Sequence, residues 1–150
     1  MTSRSEGFTL VELLIVLAIM AVAGTMLATH FGVGRAGAEL RAASRELVAA
    51  LDETRSVAIA QNRIAALTLD AGTRRYRDAR GFHAIPARLA VAWRGLVPAG
   101  GDGRTAAIYF FPDGSSSGGE IDFAAGDAKR AVSVDWFTGA ANAHAIQPTR

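Results

Sequence analysis

The chain has 150 residues, with 16 basic and 14 acidic side chains, a formal net charge of +2 and no cysteine. So small an imbalance leaves no electrostatic footprint for nucleic acid on its own. The missing cysteines exclude disulfides, thiol catalysis and thiolate metal sites. The length suits one membrane helix plus one domain of about a hundred residues, and the 50% hydrophobic content is inflated by the positions up to His30.

Residues 1–7 are a short polar leader. From Phe8 to Thr29 the only charge is Glu12, and no proline interrupts the run. At about 1.5 Å rise per residue, a helix of this length extends roughly 33 Å, enough for a bilayer core. A carboxylate within it costs about 2.5–3.5 kcal/mol at mid-membrane and less near a helix N-terminus, where the dipole favours negative charge. An ionisable group in such a place is read as functional, and its partner has to be named. The run is too long for the apolar part of a secretory signal, and no small-x-small cleavage site is well placed after a short apolar region, so it is expected to be retained. Arg4 is offset by Glu6, whereas Arg35, Arg41 and Arg45 follow the run. Counted by itself, the positive-inside rule therefore assigns the later side to the cytoplasm.

Gly32, Gly34 and Gly37 each weaken a helix by roughly 1 kcal/mol relative to alanine, which predicts a flexible or frayed joint. From Ala38 to about Asn62 the pattern is helical again. Leu40, Ala43, Leu47, Leu51, Thr54 and Ala58 recur at three- and four-residue steps, with Arg41, Arg45, Glu46, Asp52, Glu53 and Arg55 on other faces. The apolar stripe needs a sheet to pack on, and the charged faces suit a solvated surface or, as the alternative, contacts with neighbouring subunits.

Beyond Asn62 the period becomes two. Strands are expected at Ile64–Leu69, at Thr73–Asp78 after an Ala71-Gly72 turn, and after Pro86, where Leu89, Val91 and Trp93 alternate. Val97–Arg104, with Pro98 and three glycines, is expected as a loop. Ile108–Phe111, Glu120–Phe123 and the alternating Val132, Val134 and Trp136 complete the strands. One long helix followed by short strands and glycine turns gives an α+β module with antiparallel sheets.

Gly114-Ser115-Ser116-Ser117-Gly118 has the spacing of a nucleophile elbow, which needs a strand before the serine and a helix after it. Gly119-Glu120-Ile121-Asp122-Phe123 is strand-like, so the segment reads as a hairpin loop. His30, His83 and His144 form no metal-spaced pair. Asp102, Asp113 and Asp127 lie near glycines without the alternating ligands of a calcium loop. No metal or cofactor is expected. Arg74, Arg75, Arg77 and Arg80 surround Tyr76 and would fall on both faces of a strand. They form either a solvated face or a small basic patch for acidic partners or DNA phosphates.

A polar leader, Gly7, Phe8 and a glutamate five residues past the glycine resemble the class III signal of type IV prepilins. In that family a membrane aspartyl peptidase cuts after the glycine and methylates the new N-terminal residue. The resemblance implies cleavage between Gly7 and Phe8 and an N-methylated Phe8. It also implies that Glu12 neutralises the Phe8 amine of a neighbouring subunit in the filament core. Burying either charge alone is expensive, so such a pair sets register.

Phe110-Phe111-Pro112-Asp113-Gly114-Ser115-Ser116-Ser117-Gly118-Gly119-Glu120-Ile121 resembles the turn motif of the GspH/FimT-like family of type IV pilin-like proteins, with Phe111, Pro112, Gly114, Gly118 and Gly119 at the motif positions. Val132-Ser133-Val134-Asp135-Trp136-Phe137-Thr138-Gly139 looks like its last strand and closing glycine. Together with the helix, the likeness covers most of the chain, though residues 71–105 match loosely. It implies a type IV pilin-like fold, a long N-terminal transmembrane α-helix packed on an antiparallel β-sheet or sandwich domain. Residues 1–7 would be the cleaved leader, 8–30 the transmembrane and filament-core helix, 31–62 its periplasmic half and 63–150 the β-rich domain. It further implies a non-enzymatic minor pseudopilin of type II secretion in the bacterial inner membrane, with the C-terminal domain in the periplasm. Its partners would be the prepilin peptidase, other major and minor pseudopilins and the inner-membrane assembly platform. The alternative is a FimT-like minor pilin for pilus assembly or DNA uptake. The family often has a basic residue after the closing glycine, but here Ala140-Ala141 follow and the tail carries little charge, which speaks against nucleic acid.

Overall fold

The computed structural model describes residues 10–101 and 103–146, at 25–35 for the backbone alone. The elements in order are α1 (Leu10–Ala60), β1 (Ala65–Asp70), β2 (Arg75–Arg77), β3 (Phe82–Ala84), β4 (Ala90–Arg94), β5 (Val97–Pro98), β6 (Thr105–Phe110), β7 (Gly119–Ala125), β8 (Ala128–Val134) and β9 (Ala141–Ala145). The chain divides into two compact units, Met1–Arg35 and Ala36–Arg150. Gly32, Gly34 and Gly37 all stand within α1, where the sequence predicts fraying. Extending an existing helix adds a hydrogen bond for each residue fixed, which offsets the weak propensity of single glycines.

In the second unit the expected stripe is the buried face of α1. Leu40, Leu47, Leu51, Thr54 and Ala58 are at most 1% exposed, with Ala43 packed against the same cluster. Two hydroxyls share this dry face by turning back on their own helix, Ser44 Oγ to the Leu40 carbonyl and Thr54 Oγ1 to the Ala50 carbonyl, both at 2.7 Å. A buried hydroxyl is tolerated there because it is bonded. The helix ends on Asn62 at φ 46°, with Asn62 N–H donating to Ile59 O and Arg63 N–H to Ala58 O. That pair of bonds is the Schellman arrangement, and asparagine tolerates the left-handed position at its centre.

The strands form two antiparallel sheets, ordered β3-β2-β1-β6-β5 and β4-β7-β8-β9. Leu67 and Leu69 of β1, Ile108 and Phe110 of β6, Ile121 and Phe123 of β7, and Val132 and Val134 of β8 join the α1 stripe in one hydrophobic core. This is the α+β architecture with antiparallel sheets that the alternating pattern predicts.

Several expectations need correction. Val97–Pro98 is not loop but a short edge strand on β6, with Val97 opposite Ala107; proline sits at a sheet edge without breaking a ladder. Phe111 lies beyond the end of β6. Trp136 falls outside β8 and is 68% exposed, because Asp135 starts a turn that takes it off the alternation. β2 is confined to Arg75–Arg77, since Arg74 has φ 54° and Asp78 begins the next turn. The sequence pattern does not predict β3 or β9. Phe-His-Ala and Ala-Asn-Ala-His-Ala offer little apolar alternation, and only their partners β2 and β8 hold them in sheets.

Candidate functional site

Gly7 and Phe8, the expected processing junction, lie outside the described residues. Glu12 is in the first turn of the described helix and exposed. Every large apolar side chain from Leu10 to Val22 is at least 48% exposed. A helix that is apolar all round demands burial in lipid or among other helices. Among the described residues no helical window is long and apolar enough to count as a membrane span, and the Phe8–Thr29 run extends past those described with side chains.

The Phe111–Gly119 turn is a junction between the end of α1, β6, β7 and the β8–β9 turn. Gly114 N–H closes on Phe111 O at 2.9 Å, so Pro112 holds the second position of a four-residue turn, where its fixed φ is an advantage. Asp113 accepts from Ser115 N–H at 3.0 Å and Ser115 Oγ at 2.6 Å, and the Ser115 hydroxyl chiefly holds its carboxyl below the usual range. The Ser116 hydroxyl accepts from Gly118 N–H at 2.9 Å and donates to Asp135 O. The hydroxyl is thus committed to backbone, and β7 rather than a helix follows it, so an elbow geometry is not formed. Gly119, at φ 131°, passes so near Leu96 that an added Cβ would sit 2.6 Å from Leu96 Cδ1.

Arg55, expected on a solvated face, instead donates from Nε to Gly114 O at 2.9 Å. Gly139 closes the other side of that contact; a Cβ there would collide with the Gly114 carbonyl and lie 2.9 Å from Arg55 Nε. Asp135 shapes the turn that delivers Gly139, accepting from Phe137 N–H, Thr138 N–H and Thr138 Oγ1. The backbone N–H of Thr138 is the main cause holding its carboxyl low. The Asp-x-x-Thr-Gly spacing at 135–139 was a legible turn signal for this feature. Nothing in the sequence marked Arg55, because its partner is a backbone carbonyl far along the chain.

The arginine cluster separates into three roles. Arg74 turns inward to the Pro86 and Leu89 carbonyls, and Arg80 pairs with Glu53 of α1 at 2.9 Å. Arg75 and Arg77 stay exposed on one face of β2, with the Arg77 guanidinium 5.5 Å from the Phe82 ring centroid. Beneath them Tyr76 stacks on His83 at 4.8 Å between ring centroids. His83 Nε2 lies 3.1 Å from Asp78 Oδ2. Burial pushes the Asp78 carboxyl up, but the N–H groups of Arg80 and Gly81 and the His83 ring outweigh it and hold the group below its ordinary value. Burial pushes the Tyr76 hydroxyl up, and the Glu46 and Asp78 carboxylates add to it. His144 is apart from His83, on β9, while the side chain of His30 and all of Asp102 lie outside the described residues. Among those described, no three His, Asp or Glu side chains gather as metal ligands would.

The chain is similar to known proteins in sequence and in fold. The family profile described as Type II transport protein GspH matches residues 43–139. The Prokaryotic N-terminal methylation motif matches residues 2–28. A protein of Xanthomonas campestris pv. campestris described as type II secretion system protein H is 37% identical over 135 residues, covering 89% of this chain and 80% of that protein. In fold the chain is similar to the minor pseudopilin EpsH of the Vibrio cholerae type 2 secretion system, with TM-score 0.57 and 13% identity over 71% of this chain and 97% of that one. It is also similar to the Pseudomonas aeruginosa type IV minor pilin FimU, with TM-score 0.53 and 17% identity over 73% of this chain and 89% of that one. At those identities the likeness concerns the fold, which is pilin-like.

Proposed function

This chain belongs to the family of the type II transport protein GspH, and we propose that it works as a minor pseudopilin, a structural subunit of the periplasmic pseudopilus that helps export folded proteins across the outer membrane. The observation that carries this reading is the stretch from Leu10 to Val22, apolar on every face and exposed, with Glu12 as its one charge. Such a surface is stable only in a bilayer or packed among like helices. The two environments correspond to an inner-membrane precursor, with its C-terminal domain in the periplasm, and to an assembled filament.

The prepilin peptidase cleaves between Gly7 and Phe8 and methylates the Phe8 amine. On transfer from lipid to filament, Glu12 faces the Phe8 amine of a neighbour, so that each charge meets its partner in a low-dielectric core. The chain has no catalytic task of its own; it is a substrate of the peptidase and a building block among other pseudopilins on the assembly platform. The test is Glu12→Ala in the full chain in cells. Leader cleavage, read from gel mobility, is expected to be normal, while incorporation into sheared filaments and secretion are lost. Normal incorporation and secretion would refute the pairing.

A second reading, a minor type IV pilin that binds DNA, draws on the exposed Arg75 and Arg77. It would require an affinity for duplex DNA that falls steeply with salt and is lost on Arg75→Glu with Arg77→Glu.

A further inference from the structure

A groove of about 300 Å³ runs beside the first turns of the domain part of α1, with Leu40, Arg41, Asp127, Lys129, Arg130 and Ile146 among its walls. Three of these side chains are cations and one is an anion. Arg80 and Arg94 are paired with carboxylates elsewhere in the domain, but among the described residues Arg41, Lys129 and Arg130 have no carboxylate within 4.0 Å. Arg130 is the most telling. Its Nε is buried with no acceptor, and its Nη2 reaches only the Ala143 carbonyl, at 3.5 Å. A buried N–H left without an acceptor is costly, and the guanidinium that carries it has no carboxylate within 4.0 Å among the described residues, so an anion bound in the groove would supply the counter-charge the fold leaves out. Leu40 and Ile146 add apolar wall next to the cations, which suits a ligand that is anionic at one end and hydrocarbon at the other.

We infer that this groove binds the headgroup of an anionic phospholipid at the membrane surface. The inference rests on the membrane anchorage proposed above. If the run ending at Thr29 lies in the bilayer, the connecting stretch to Gly37 spans at most about 29 Å even fully extended, which tethers the α1 wall of the groove within reach of the membrane surface. Negative surface potential attracts basic groups that come within about a Debye length of it. The same binding accounts for Arg41, one of the cations that follow the apolar run on the side where the positive-inside rule disfavours them.

The absence of cysteine makes the test direct, since one introduced thiol gives one label. The full chain carrying Ala128→Cys, an exposed position on the groove, is labelled with a fluorophore. It is then reconstituted in nanodiscs of zwitterionic lipid alone or with phosphatidylglycerol, each with headgroup-attached quencher. Quenching is expected to rise about twofold or more with the anionic lipid and to fall back at high salt. Adding Arg41→Glu and Lys129→Glu, both exposed side chains, should return it to the zwitterionic level with the circular dichroism unchanged. A label at Gln61→Cys, just past the end of α1 and about 30 Å from Arg41 along its axis, should ignore the lipid. Indifference of the Ala128 label to lipid charge, in protein that stays with the disc, overturns the groove alone. An equal response to inorganic phosphate in zwitterionic discs overturns the lipid as occupant. Failure of the chain to remain with the disc overturns the anchorage and this inference with it.

Discussion

Gly139 shows how one missing Cβ can be a structural requirement. Its φ of 66° is one that side chains rarely adopt, and the space a Cβ would need is filled by the Gly114 carbonyl and Arg55. Gly139→Ala is therefore expected to destabilise the domain by roughly 1–3 kcal/mol, read as a lower urea midpoint in tryptophan fluorescence. Asp78 makes a pH prediction at the same scale. Its carboxyl is depressed in the folded chain, burial being outweighed by two backbone N–H donors and His83. The stability it supplies is therefore complete above the ordinary aspartate value of about 4 and is lost as pH falls through the lower folded value. Asp78→Asn should be less stable than the parent at neutral pH, and the two should converge in acid. A constant difference across an acid titration of the unfolding free energy would contradict this assignment.

At the scale of elements, the α1 stripe, the β7 pair Ile121 and Phe123, and the β8 pair Val132 and Val134 were legible because each buries one face and exposes the other, which leaves a period in the chain. β3, β5 and β9 left no such trace; each is an edge strand defined by a neighbour's hydrogen bonds. Arg55 is the long-range tie among these elements, joining α1 to the turn between β6 and β7. Arg55→Met keeps most of the side-chain bulk and removes the donor. The expected loss is about 1.5 kcal/mol, the range for a bond to a charged group, measured by denaturant unfolding. A loss of order 0.3 kcal/mol would mean that water replaces the guanidinium there.

For the whole molecule, the decisive property is that an α+β domain with a packed core carries a helix whose apolar surface is open on every side. The domain is expected to associate with other pseudopilins, and the helix to exchange lipid for neighbouring helices. Glu12→Ala is expected to separate the two steps, sparing processing and impairing assembly. The groove of Arg41, Lys129 and Arg130 belongs to the membrane stage.

The sequence by itself determined the apolar run and its single carboxylate, the buried face of α1 and the turn after β6, since each is a local pattern of residue type and spacing. Only the tertiary structure decided that Arg55, Gly114 and Gly139 meet, that the arginines around Tyr76 divide into inward, paired and exposed groups, and that Arg41 shares a groove with Lys129 and Arg130. Those contacts join residues far apart in the chain through backbone carbonyls and shared space, and neither has a signature in the order of side chains.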